Sequence, residues 1–156
     1  MPDIALSNLW FEYARRAGRN QTKYGTLYAL LRQAWGRDTA SPSCQEGWES
    51  KHPSTGQCAV TALVVQDMCG GDIVRMDLGP LGSHYLNRLP NGEGSTDYDL
   101  TWVQFPSGTL RTAAALADRA VMLESARAAT YRTRDRYELL KERVRDVMTE
   151  SLRNGS

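Results

Sequence analysis

Cysteine is scarce in this chain of 156 residues: Cys44, Cys58 and Cys69 are the whole set, and no two form a C-x-x-C pair. An odd count without paired spacing excludes a disulfide framework and predicts free thiols in a reducing compartment. Long apolar runs are missing too. No stretch reaches the ~20 residues of a membrane-spanning helix, and Met1-Pro2-Asp3 lacks the basic-then-apolar opening of a signal peptide. A cytoplasmic protein with no membrane partner is expected. Neither sign of charge dominates, with 19 Lys+Arg against 18 Asp+Glu. Residues 111–156 hold 10 basic and 7 acidic groups, too slight a bias for a polyanion binder, so nucleic acid is not expected as a partner. Histidine is limited to His52 and His84, and no internal repeat or low-complexity tract is present.

What remains is a chain of one-domain size with 41% hydrophobic residues, enough for a packed core. Leu6, Leu9, Trp10 and Tyr13 recur at helical spacing over residues 4–17. Thr22 is placed to cap a second helix that runs to Trp35. From Gly36 to Gly56 the composition turns to Ser, Thr, Pro and Gly, with Trp48 as a lone apolar anchor. A loop of that length in a small domain usually wraps a functional site. Residues 58–69, Cys-Ala-Val-Thr-Ala-Leu-Val-Val-Gln-Asp-Met-Cys, are apolar nearly all round and bracketed by glycines. They read as a buried central helix headed by Cys58. Strands are expected at 72–78, 83–89 and 97–105, the last two flanking the turn signal Pro90-Asn91-Gly92. The Ala-rich stretch 110–127 and residues 133–152 read as helices. This order defines an α+β protein, with residues 1–20 as a helical extension and 21–153 as a single domain.

A cysteine at the start of a buried helix meets unpaired backbone N–H groups and the positive end of the helix dipole. That setting favours the reactive thiolate, and the same N–H groups can hold an oxyanion when a carbonyl is attacked. Gly56, just ahead, permits close approach of a substrate to the backbone. The bland alternative, a small buried residue, is preferred for Cys44 and Cys69 and stays open for Cys58. His84 is a candidate base, and Asp97 and Asp99 are candidate partners for its second ring nitrogen. His84 and these aspartates share a face only if paired residues in the hairpin have numbers summing to an odd value. Asn87, one strand position out of phase, is a weaker rival.

Gly56-Gln57-Cys58-Ala59-Val60-Thr61-Ala62-Leu63, Gly70-Gly71-Asp72-Ile73-Val74-Arg75, Ser83-His84-Tyr85-Leu86-Asn87-Arg88-Leu89-Pro90 and Asp99-Leu100-Thr101-Trp102-Val103-Gln104-Phe105 resemble, in this order, the YunG family of small bacterial proteins. The resemblance extends from Leu27 to Val147 and includes Arg136-Tyr137-Glu138-Leu139-Leu140-Lys141 in the last helix. At longer range the arrangement resembles papain-like thiol enzymes, including those of the transglutaminase kind. That resemblance implies a compact core in which a Cys-headed helix packs on a small antiparallel sheet between flanking helices. It also implies Cys58 as nucleophile, His84 as general base and acid, Asp99 as orienter, and acyl chemistry through a thioester. The expected activity is that of a thiol-dependent amide hydrolase or acyltransferase on a small-molecule or peptidic substrate. The alternative is a non-catalytic binding or regulatory module on the same scaffold.

Papain-like enzymes place an oxyanion-hole Gln several residues before the Cys. Here Gln57 is adjacent, so the Cys58 backbone N–H is the surer donor. Trp48 and Trp102 either line a substrate pocket or pack the core. Cys44, Glu46, His52 and Cys58 match no zinc-ligand spacing, and neither metal nor cofactor is expected. The arginines of 127–136 read as a solvated helix face.

Overall fold

The computed structural model describes residues 3–155. Met1 and Pro2, part of the expected leader-free N-terminus and of the 1–20 extension, lie outside them, as does Ser156. The first two helices follow their sequence signals. Helix α1, Ile4–Ala17, is capped by the Asp3 side chain, which accepts from Leu6 N. Helix α2, Lys23–Ala34, is capped by Thr22, which accepts from Gly25 N. A short helix, α3, Pro42–Gln45, interrupts the polar loop. Helix α4, Cys58–Cys69, ends at Gly70, as the glycine bracket predicts.

The sheet consists of β1, Asp72–Asp77, β2, Ser83–Pro90, β3, Ser95–Tyr98, and β4, Ala114–Leu116. It is antiparallel throughout, in the order β3-β2-β1-β4. Helices α5, Arg119–Glu124, α6, Ala126–Thr130, and α7, Thr133–Asn154, complete the chain. Gly71 sits at φ +73°, and a Cβ there would lie 2.5 Å from the Arg88 carbonyl oxygen. Only glycine lets the backbone pass that close at the start of β1.

Two predicted elements are corrected. Residues 110–127 do not form one helix. The edge of β1 recruits Ala114–Leu116 as β4, and the Asp118 side chain then caps α5 by accepting from Ala120 N and Val121 N. Open ladder positions on an edge strand outweigh the modest helix preference of an alanine run. The strand expected over 97–105 stops at Tyr98, and a 3₁₀ turn follows at Trp102–Gln104.

The main core joins α4 to α1, α2 and α7. Leu63, Val64 and Val65 of α4 are fully buried among Leu27, Leu30, Leu31, Leu140, Val144 and Met148. Leu6, Trp10 and Tyr13 belong to the same core, so α1 packs onto the domain. A smaller core, Val74, Met76, Leu78 and Leu86 with Trp102 and Phe105, covers the other face of the sheet. Asp67 at 2% exposure anchors a polar network between α4, α5 and α7. It accepts from Arg119 at 2.9 Å and from the Tyr137 hydroxyl, with Lys141 3.8 Å away.

Candidate active site

Alternation along β2 turns His84 and Leu86 toward the smaller core, and Asn87 toward α4. The Asn87 amide donates to the Ala62 carbonyl at 2.9 Å, which removes it as a partner for the histidine. Asn87 pairs with Tyr98 and Arg88 with Asp97, so the hairpin has the odd register. Asp97 is taken by Arg88, at 2.8 and 3.1 Å. Asp99, one residue beyond the strand, meets His84: Nε2 and Oδ2 are 2.8 Å apart.

The His84 ring is fully buried. Trp102 and Phe105 pack edge-on against it, with ring centroids 5.3 and 4.9 Å away. Its Nδ1 is buried with no hydrogen-bond partner among the described residues. Burial works against the charged ring. The hydrogen bond to Asp99, the Cys58 thiol and the charges of both outweigh it and push the His84 pKa up to about 9. The Cys58 sulfur also lies 3.9 Å from the Ser83 carbonyl oxygen. No side chain caps α4, so the N–H groups of its first turn, Cys58 included, stay available. Of the three free cysteines, Cys69 lies at the far end of α4, where burial pushes its thiol up to about 11.

Cys58 opens onto a cavity of about 270 Å³ between the polar loop, β2, the 102–104 turn and helices α5 to α7. Gly56 lines it at φ +75°, and a Cβ there would lie 2.8 Å from the Cys44 Cβ. Cys44 lines the cavity as well, so it is not simply a buried filler. Gln57 is fully buried. Its amide donates to the Gly36 carbonyl at 2.9 Å and accepts from the Thr39 hydroxyl at 2.9 Å, which turns it into the loop and away from the cavity. Trp48 is outside it, with its indole N–H on the Pro53 carbonyl at 3.2 Å. Trp102 buttresses His84 and does not line the Cys58 cavity. Among the described residues no group of three or more His, Cys, Asp or Glu side chains is placed to hold a metal ion.

Three participants were not assigned from the sequence. Gln104 lines the cavity, holds the Gly56 N–H through Oε1 at 3.0 Å, and keeps a buried Nε2 with no partner among the described residues. Arg111 donates to Asp99 Oδ2 at 2.9 Å and stacks 3.9 Å over the Trp102 ring. Arg136, expected on a solvated face, is 5% exposed and lines the cavity. Gln104 and Arg136 both lie in motifs of the resemblance, but nothing in their immediate neighbours marks where their side chains end.

The fold defines an α+β protein in which a Cys-headed helix packs on a four-stranded antiparallel sheet. Residues 23–149 match the family model described as YunG protein, and the chain belongs to that family. All the motifs quoted above fall inside the match, while α1 precedes it. Over 76 residues the chain is 40% identical to a Bacillus subtilis (strain 168) protein described as "Uncharacterized protein YunG"; the match covers 49% of this chain and 57% of that protein. The chain thus spans little more than half the length of that relative. No solved structure matches it. Among the described residues no helix is long and apolar enough to cross a membrane.

Proposed function

We propose that this protein is a cysteine-nucleophile amide hydrolase or acyltransferase with a papain-like arrangement of Cys58, His84 and Asp99. One observation carries the proposal. A buried imidazole is held at Nε2 by a carboxylate 2.8 Å away, its Nδ1 is buried with no partner among the described residues, and the sulfur of the helix-start cysteine lies 3.9 Å from the carbonyl oxygen of the adjacent Ser83. A histidine that only filled the core would not need both nitrogens so disposed.

The sulfur of Cys58 as thiolate attacks the carbonyl carbon of an amide; a C–S bond forms and the C=O electron pair moves to oxygen. The backbone N–H of Cys58 and Nε2 of Gln104 are the donors for that oxyanion. The His84 imidazolium gives its proton to the amide nitrogen, the C–N bond breaks, and the amine leaves a thioester. His84, now neutral, takes a proton from water or an amine, which attacks the thioester; the C–S bond breaks and the thiolate returns. Asp99 holds the ring throughout, and Trp102 with Arg111 shields that contact from solvent. The small cavity favours a deamidase, a small-amide hydrolase or an amide-forming transferase over a protease with several subsites.

Site-resolved alkylation tests this. Native protein is treated with limiting iodoacetamide from about pH 5 to 9, and Cys44, Cys58 and Cys69 are mapped by peptide mass. Cys58 is expected to react first below pH 7, and His84→Ala and Asp99→Ala to abolish that preference. A Cys58 no faster than glutathione, or a preference unchanged in His84→Ala, overturns the proposal and leaves the binding module as the account.

A further inference from the structure

The wall of the Cys58 cavity opposite β2 is built by α6 and α7, and its chemistry is one-sided. Arg127 and Arg136 line it, and no Asp or Glu does among the described residues. Arg127 is exposed and lies over the Tyr131 ring. Arg136 is different, because it is 95% removed from solvent and forms no ion pair among the described residues. Its Nε donates to the Tyr131 carbonyl at 2.9 Å and its Nη1 to the Thr39 carbonyl at 3.1 Å. Nη2 makes no hydrogen bond to a described residue. Two carbonyls fix the plane of the guanidinium and take two of its five N–H bonds, which leaves both on Nη2 and one on Nη1 for a ligand in the cavity it lines. Burying a cation without a counter-ion is expensive, so such a group is retained where an anion arrives from outside. Burial pulls the Arg136 pKa down to about 10, against opposing pulls from the Cys58 and Cys44 thiols.

We infer that Arg136 is the specificity-determining residue of the Cys58 site and binds a free carboxylate on the substrate, so that the enzyme acts on small amides of amino-acid to dipeptide size. The inference rests on the thiol-enzyme proposal above and narrows it. A carboxylate at Nη2 satisfies the guanidinium with a charge-assisted hydrogen bond and positions the amide carbonyl over the sulfur. A cavity of about 270 Å³ accommodates an N-acyl amino acid and little more.

Paired alkylators read this charge directly. In both iodoacetamide and iodoacetate the thiolate sulfur displaces iodide from the CH₂ carbon, but only the second carries a carboxylate. The ratio of their rates at Cys58 is compared with the ratio for glutathione, in wild type and in Arg136→Met. Iodoacetate is expected to gain about tenfold at Cys58, the scale of one charge-assisted hydrogen bond, and to lose that gain in Arg136→Met. A gain retained in folded Arg136→Met assigns it to the His84 imidazolium or Arg127 and overturns the inference. Iodoacetamide reacting fast with no gain for iodoacetate overturns it too, while the thiol-enzyme proposal stands. If Cys58 resists both reagents, both proposals fail together. Should Arg136→Met not fold, protection of wild-type Cys58 from iodoacetamide decides: N-acetylglycine protecting while its neutral amide does not supports the carboxylate, and equal or absent protection overturns it.

Discussion

Replacing Asp99 by Asn keeps the shape of the group beside His84 and removes its charge. In the native protein the imidazole is pushed from an ordinary 6.5 to about 9 although its burial pulls the other way. That gap is worth about 3 kcal/mol in favour of the protonated ring, supplied jointly by Asp99 and the Cys58 thiol. At pH 8 a group with a pKa of about 9 is about nine-tenths protonated, and one at 6.5 only about 3%. Without the carboxylate, burial dominates and His84→neutral conversion moves below pH 8. The assay is the ¹⁵N chemical shift of the His84 ring followed from about pH 5 to 10; His52 is the only other histidine and is assigned with His52→Gln. Wild type is expected to titrate near 9 and Asp99→Asn at least one pH unit lower. The native state holds this proton more tightly than the unfolded chain. His84 by itself therefore contributes stability that is complete below about pH 6.5 and is lost as pH rises through about 9. The difference in urea stability between wild type and Asp99→Asn should shrink accordingly across that window. A wild-type His84 titrating at or below 6.5, or an Asp99→Asn curve superimposed on wild type, refutes the charge argument.

Gln104→Ala should leave the iodoacetamide rate of Cys58 within about twofold but weaken a reversible aldehyde adduct about tenfold to a hundredfold. In that adduct the sulfur bonds to the aldehyde carbon and the thiol proton ends on the oxygen, which occupies the oxyanion position; equal adduct affinity in the two proteins removes Gln104 from the role. Gly56→Ala places a Cβ 2.8 Å from Cys44 at φ +75° and should both destabilise the loop, by about 1–3 kcal/mol, and slow Cys58 alkylation, measured by urea melts and peptide mapping. Asp67→Ala should lower stability by about 3–5 kcal/mol because Arg119 and Lys141 lose their shared buried partner, whereas Tyr137→Phe should lower it by about 1–3 kcal/mol. Similar losses for both would contradict the network as drawn. Leu63→Ala, at a fully buried core position, should lower stability by about 2–5 kcal/mol in the same assay.

Local pattern determined more of this protein than its motifs suggest. The twelve residues Cys58–Cys69, nine of them apolar and too many for an ordinary strand, specify α4 between their bracketing glycines, and the Thr22 cap and the leucine spacing specify α2. Those signals work because a helix closes its hydrogen bonds within four residues, so neighbours in sequence carry the information. Cys58 at a helix start and His84 on a strand followed from the same local logic. Tertiary structure decided the rest. Whether His84 faces Asp97, Asp99 or neither depends on hairpin register, and a one-residue slip reverses it. Residues 114–116 became a strand because β1, about 40 residues earlier in the chain, offered an open edge. Gln104 reaches Gly56 across 48 positions and Arg136 reaches the Thr39 carbonyl across 97. The ends of long polar side chains are placed by whatever carbonyl or cavity the closed fold brings within reach, and no period along the chain encodes that.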